Sequence, residues 1–412
     1  MSDIETCARD IFLFQKLGIN TIRVYSVDPA LDHNECMTLL AQAGIYLVLD
    51  VNTPLAEEHL NNQEPWTTYT KNYLEHVFSV VEVFSGYANT LAFLAGNEVV
   101  FDETSAKTSP NYVKAVVRDI KGYLTEQVSR VIPVGYSNAD DLNFRVSLAK
   151  FLECGDTGYI DFFGVNSYQW CGKNTFEGSG YDKLVSDYTD YSLPVFFTEF
   201  GCNKVQPRQW QEVGALYSDQ MTGVFSGGLV YEYSQESNDY GLAEISKNGQ
   251  VKTISDFTSL QSAYAKAPKQ PEIPSGATAP KRPSECPAAD DSAFEHITAN
   301  NTLPTSFGTD MIRNGLGGKV KRGVFVDKLS TRATKYDITL DGKEVSDKEV
   351  KQTEETDSTP LPAGGSGINT GGGVGSGAPG SSKSAASSVG GARGIVFMAS
   401  LAAVGLGFGL FL

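Results

Sequence analysis

The sequence predicts an α/β fold: a (β/α)8 barrel whose first strand is missing from the chain, followed by a small C-terminal appendage and a disordered tail. Three observations carry this expectation. Seven short runs rich in β-branched and aromatic residues recur between Ile19 and Ser234. Each is almost continuously apolar, as strands of a parallel sheet covered on both faces must be. Amphipathic stretches separate them, and strand–helix alternation of that regularity builds βα units.

In chain order the runs are TIRVYS (21–26), IYLVLDV (45–51), LAFLAGNE (91–98), VIPVGYS (131–137), DFFGVNSY (161–168), PVFFTEF (194–200) and GGLVYEYS (227–234). The intervening ARDIFLFQKLG, HNECMTLLAQAG and SPNYVKAVVRDIKGYLTEQ place apolar residues at helical spacing, and Gly closes the first two. The first of these helices, ending at Gly18, begins too near Met1 for a strand to precede it. Closure requires matched strand number and shear, so a barrel of seven strands has a gap to fill. A seven-stranded open sheet is the plain alternative, and the polar chemistry at the strand ends favours the barrel.

The barrel is expected over residues 1–270, and a Pro-rich connection with a small appendage packed on it over 271–355. The pieces RGVFVD and KYDITLDGKEV read as short strands in that appendage, too small for a core of their own. Residues 356–393 turn to Gly and Ser, the composition of a flexible stalk, and 394–412 are uncharged and hydrophobic to the last residue. Small residues, a polar spacer and a hydrophobic end are the order of a GPI-attachment signal, with Ser384, followed by Ala385 and Ala386, as one attachment site. The alternative is a tail anchor. The expected location is therefore the extracellular face of the cell membrane and the cell wall. MSDIETCARD has no basic region followed by an apolar one, which conflicts with secretion and suggests a truncated start. The sequon Asn300-Asn301-Thr302 is compatible with secretion.

Lys plus Arg number 33 against 49 for Asp plus Glu, a net charge of −16, so nucleic acid is excluded as a natural partner. Only 4 His are present, and no Cys/His spacing of a zinc site, so neither metal nor cofactor is expected. The cysteines (Cys7, Cys36, Cys154, Cys171, Cys202, Cys286) fit either buried thiols or three disulfides in many pairings, and the membrane-anchoring tail favours oxidation.

In a barrel the C-terminal ends of the strands face the active site. Counting the missing strand as the first, those ends present Arg23 and Tyr25 (second), Asn97 and Glu98 (fourth), Asn166 and Tyr168 (sixth), Glu199 (seventh), and Tyr231 and Glu232 (eighth). Glu98 and Glu199 then face one another across the mouth, the pair that glycoside hydrolysis requires: one a protonated acid, one an ionised nucleophile. Arg23 is placed to keep Glu199 ionised, Asn97 to hold a sugar 2-hydroxyl, and the tyrosines to offer flat faces to sugar rings. Glu232 is the internal rival, read as a support. DHNEC (32–36) reads as a solvated helix end, since consecutive positions cannot converge on one ion.

The segments CARDI…LGINTIRVYSVDP, LAFLAGNEV, PVGYSNADD, FFGVNSYQWCG, PVFFTEFGCN and VYEYSQESNDYGL resemble the GPI-anchored fungal 1,3-β-glucanosyltransferases, glycoside hydrolase family 72. That family, the Gel/Gas/Phr group, belongs to the clan A barrels with paired glutamates on strands four and seven. The resemblance implies that Glu98 is the acid/base and Glu199 the nucleophile. It further implies donor-glucan contacts by Tyr25, Asn97 and Tyr231, acceptor contacts by Asp140 and Arg145, and disulfides Cys7–Cys36, Cys154–Cys286 and Cys171–Cys202. With these pairs formed, no cysteine remains for the Cys-rich carbohydrate-binding module that some members carry.

The implied reaction is retaining: Glu199 attacks an internal β-1,3-linkage, Glu98 protonates the departing oxygen, and another β-1,3-glucan chain takes the glycosyl group from the enzyme. Two other outcomes are an endo-β-1,3-glucanase on the same scaffold, if water is the acceptor, and an inactive glucan-binding wall protein, if truncation prevents folding.

Overall fold

The computed structural model describes residues 1–139, 141–268, 281–300 and 302–353, and the backbone of 397–399. Helix α1 (Ile4–Leu17) starts where the Asp3 side chain accepts the Glu5 N–H, and ends at Gly18, whose φ of 76° suits a residue without Cβ. Strand β1 (Thr21–Val24) follows, then α2 (Asn34–Gln42), β2 (Tyr46–Asp50), α3 (Pro65–Thr68) and α4 (Lys71–Phe84). Next come β3 (Thr90–Asn97), α5 (Glu103–Thr108), α6 (Pro110–Gln127), β4 (Val134–Asn138), α7 (Arg145–Glu153), β5 (Phe162–Ser167) and α8 (Tyr181–Tyr188). Strand β6 (Val195–Phe200), α9 (Gln211–Leu216) and β7 (Phe225–Val230) finish the alternation.

The seven predicted runs are these seven strands, each parallel to its neighbour from β1 through β7. The eighth place is not vacant. A short strand at Phe397–Ala399 lies between β1 and β7, parallel to both, and closes the barrel. The unpaired edges of β1 and β7 are what such a strand can satisfy. The Gly/Ser-rich segment 356–393 and residues 400–412, Ser384 and the rest of the hydrophobic end among them, lie outside the described residues.

Side chains alternate across each barrel strand, so every second residue points inward. Low in the barrel these are apolar: Val48, Ala92, Leu94, Phe162, Phe196 and Leu229 form one cluster, with the Phe162 and Phe196 rings stacked at 5.3 Å. Two or four residues further along, the inward positions turn polar: Asp50 on β2, Asn166 on β5, Thr198 on β6. The larger apolar core fills the layer between strands and helices, with Phe78, Phe93, Phe163 and Phe197 fully buried. An apolar floor thus carries a polar rim at the C-terminal ends of the strands.

Beyond the barrel, β8 (Ala243–Ile245) and β9 (Val251–Thr253) form a hairpin ahead of α10 (Ser255–Lys266). The chain returns through α11 (Thr309–Asn314), which packs on α6, then adds β10 (Ile338–Leu340) parallel to β9 and β11 (Lys343–Glu344) antiparallel to β10. KYDITLDGKEV therefore contains strands, whereas RGVFVD contains none. Side chains of α2 take its backbone donors instead: Val324 N–H donates to Asn34 Oδ1 and Val326 N–H to Thr38 Oγ1.

All six cysteines are paired, as Cys7–Cys36, Cys154–Cys286 and Cys171–Cys202. The last bond joins the segments that follow β5 and β6. Cys36 and His33 are 1% and 2% exposed, so DHNEC is solvated only in part, against the expectation of a solvated helix end. Its histidine and cysteine turn inward because the disulfide draws α2 onto α1. Among the described residues, no helix is long and apolar enough to cross a membrane.

Candidate active site

Strand ladders slip register immediately before the polar rim: between Leu94 and Asn97 on β3, between Val165 and Asn166 on β5, and between Phe197 and Phe200 on β6. Such irregularities re-aim side chains at barrel rims. At the end of β3 the backbone goes further, and Glu98 takes φ +49°, the left-handed region that a residue with a Cβ enters only when its surroundings enforce it. The Glu98 N–H is held by the Ser137 carbonyl at 2.9 Å.

Arg23 is the organising cation. Its Nε and Nη2 donate to the two carboxylate oxygens of Asp50 at 2.8 and 2.9 Å, a bidentate pair that fixes the guanidinium plane. From that plane Nη1 donates to Glu199 Oε1 at 3.1 Å, and Nη2 to Asn97 Oδ1 at 3.0 Å. The guanidinium lies over the Tyr25 ring, 4.1 Å from its centroid. Arg23 is fully buried, and its attraction to Asp50 and Glu199 is correspondingly little screened.

Glu199, 6% exposed, accepts from three side chains: Arg23, the Tyr25 hydroxyl at 2.9 Å on Oε1, and the Tyr168 hydroxyl at 2.7 Å on Oε2. Burial pushes its carboxyl up to about 7, against the pull of Arg23 and the two tyrosines, and the charge of Glu98 adds to the push. Burial likewise raises Tyr25 and Tyr168 well above the ordinary phenol range, so both remain protonated donors.

Glu98 is partly exposed, and its Oε1 accepts Asn166 Nδ2 at 2.7 Å. Tyr25 and Tyr168 each pack edge-on against Tyr231, with centroids 6.2 and 6.3 Å away, and Tyr240 joins Tyr168 and Tyr231 at 5.5 and 5.2 Å. Beside this aromatic wall a cavity of about 390 Å³ is lined by Tyr25, Asp50, Asn52, His59, Asn97 and Glu98 among others. A concave site with hydroxyls, amides and two carboxyls suits a sugar chain.

The structure therefore brings Arg23, Tyr25, Asn97, Glu98, Tyr168, Glu199 and Tyr231 to one cleft. Glu232 stands at its edge, accepting Asn238 Nδ2 at 2.8 Å, with burial pushing its carboxyl up to about 7. Asp140 lies outside the described residues. Arg145, at the start of α7, is 1% exposed and donates through Nε and Nη2 to Asp187 of α8, while its Nη1 is buried with no hydrogen-bond partner among the described residues.

The family model described as Glucanosyltransferase, of glycoside hydrolase family 72, matches residues 1–268. The chain belongs to this family. It is 51% identical over 347 residues to 1,3-beta-glucanosyltransferase GAS4 of Saccharomyces cerevisiae, covering 82% of this chain and 72% of that one. It is 49% identical over 268 residues to 1,3-beta-glucanosyltransferase gel2 of Aspergillus fumigatus, covering 65% of this chain and 56% of that one. Among solved structures it resembles Saccharomyces cerevisiae Gas2p in complex with laminaritetraose and laminaripentaose. The TM-score is 0.66 and the identity 40%, covering 73% of this chain and 65% of that one.

Strand-end reasoning left four polar residues of this glucanosyltransferase-family site without a role: Asp50, Ser137, Asn166 and Thr198. Each is a polar residue at or near the C-terminal end of an otherwise apolar run, which is the signal that finds them: Asp50 and Ser137 stand alone in their runs, while Asn166 precedes Ser167 and Thr198 precedes Glu199. Their packing leaves no slack. A Cβ on Gly164 would lie 2.3 Å from Thr198 Cγ2 and 2.6 Å from its hydroxyl, so glycine is required there.

Proposed function

We propose that this family member is a retaining 1,3-β-glucanosyltransferase that cuts an internal linkage of one β-1,3-glucan and joins the retained part to another. The observation that supports this best is the cleft itself. One carboxylate, Glu199, is immobilised by Arg23, Tyr25 and Tyr168, and a second, Glu98, stands beside it with freedom to exchange a proton. The relatives, both 1,3-beta-glucanosyltransferases, supply the substrate class.

In the first step a Glu199 oxygen bonds to the anomeric carbon while the glucosidic C–O bond breaks and the leaving oxygen takes the Glu98 proton. In the second, Glu98 as carboxylate accepts the proton of an incoming hydroxyl, whose oxygen displaces Glu199. Asn97 is suited to hold the 2-hydroxyl: its Oδ1 is occupied by Arg23, Ser137 and Asn166, which leaves Nδ2 as the free donor. Tyr25 and Tyr231 line the donor side. Acceptor selection falls to Asp140 and Arg145, the residues for which the family resemblance implies acceptor contacts.

The test is product length. Incubated with a reduced laminari-oligosaccharide of one size, the protein should yield products both shorter and longer than the substrate. Shorter products alone would make it a hydrolase. No products from a folded protein would leave a glucan-binding role.

The composition of 356–393 and the hydrophobic 394–412 support a GPI anchor and a place on the extracellular face and in the wall; since the hydrophobic end is removed when the anchor is attached, the anchored form would give up the strand at Phe397–Ala399. Release of the protein from membranes by phosphatidylinositol-specific phospholipase C is the expected result. Retention after treatment would argue for a spanning tail.

A further inference from the structure

We infer that Asn166 is a positioning residue that decides which oxygen of Glu98 carries the catalytic proton. The inference rests on reading Glu98 as the acid/base.

The argument is one of donors and acceptors. Asn166 Nδ2 lies 2.7 Å from Glu98 Oε1 and 3.3 Å from Asn97 Oδ1, and its Oδ1 lies 2.8 Å from Thr198 Oγ1 and 3.0 Å from Ser137 Oγ. The amide orientation follows from these partners. Turned over, Asn166 would set its carbonyl against two acceptor oxygens, one of them already taken by Arg23. The hydroxyls order themselves accordingly. Thr198 gives its only proton to Asn166 Oδ1, and Ser137 gives its own to its nearest acceptor, Asn97 Oδ1 at 2.8 Å.

Because Nδ2 can only donate, Glu98 Oε1 can only accept, and a proton on Glu98 is confined to Oε2. In the first chemical step that Oε2–H bond breaks, the proton moves to the leaving oxygen, and the negative charge appearing on the carboxylate is shared with Oε1, where Asn166 already donates. The donor is in place before the charge develops, so no reorganisation accompanies it. Asn166 is fully buried, and Ser137 and Thr198 with it, so water cannot substitute for the amide if it is removed.

Two variants, Asn166→Ala and Asn166→Asp, test this in the full chain. The second keeps the shape and the acceptor oxygen for Thr198 but removes the donor. Each is assayed on a laminari-oligosaccharide, whose leaving group needs a proton, and on a 2,4-dinitrophenyl β-1,3-glucoside trimer, whose leaving group does not. The expected result is a loss of roughly 100-fold on the oligosaccharide for both variants, with release of dinitrophenolate within about threefold of the parent. Equal losses on both substrates, or no loss on either, would overturn the role, and so would full activity of Asn166→Asp, since shape alone would then suffice. Glu98→Gln runs alongside. If it fails to show the same split between substrates, the acid/base reading itself is wrong. If it shows the split and the Asn166 variants do not, only the present inference fails.

Discussion

Glu199→Gln should lower the rate of both cleavage and transfer by about four orders of magnitude, while the folded protein becomes more stable at neutral pH. The loss follows from chemistry: glutamine keeps the shape and can still meet Tyr168 and Tyr25, but it cannot form the glycosyl-enzyme ester. The gain follows from burial. The Glu199 carboxyl is raised to about 7 in the folded state, from an ordinary value near 4.5. Between those two pH values the folded protein holds a proton that the unfolded chain has released, so stability falls as pH rises through the window. The ionised carboxylate costs the folded state on the order of 2–3 kcal/mol above it. Glutamine removes that dependence. The Tm difference, variant minus parent, should be small at pH 4 and grow to several degrees by pH 8 in calorimetry or thermal fluorescence. A difference that stays flat with pH would show that Arg23 and the tyrosines offset the burial in full.

Arg23→Met should have the second largest effect and the opposite sign on stability. Methionine fills much of the space over Tyr25 but leaves Asp50 and Glu199 as two buried carboxyls without a cation between them. Removing one member of a buried pair costs about 3–5 kcal/mol, and here the cation serves two partners. Without Arg23 nothing cationic opposes the push of burial on Glu199, so its carboxyl titrates at higher pH. The acid limb of kcat/KM should move upward by a unit or more, and activity at neutral pH should fall by roughly 100-fold, recovering in part as pH is raised. Denaturant midpoints give the first quantity and pH–rate profiles the second. An unshifted acid limb would mean that the tyrosine hydroxyls, not Arg23, hold the nucleophile ionised.

The barrel was readable because buried parallel strands must be apolar on both faces, as runs such as PVFFTEF and IYLVLDV are, and because polar residues gather at their C-terminal ends, which favours a barrel over an open sheet. Glu98 and Glu199 were readable as a pair because each ends such a run. What escaped was whatever depends on partners distant in the chain. Asp50 closes an apolar run as plainly as Glu199 does, yet its role appears only when Arg23, 27 residues away in sequence, is seen to hold it bidentately. Ser137 and Thr198 are one hydroxyl each, and their meaning lies in the amides they meet across the barrel. The disulfide partners could not be drawn from spacing, since many pairings fit it. Arg145 shows another limit: its motif is visible in the sequence, but its pair with Asp187 on a different helix is not.

The slipped register on β3 bears on how such a site could be built from scratch. A strand in even register hands alternate residues to the barrel interior, so it can deliver Asn97 or Glu98 to the cleft, but not both. The irregularity before Asn97 and the left-handed backbone at Glu98 let consecutive residues serve one substrate. A designer who smoothed this backbone toward ideal geometry would obtain a sturdier barrel and lose half of the dyad's support. Grafting Asn-Glu onto a regular barrel would transplant the letters and leave the function behind.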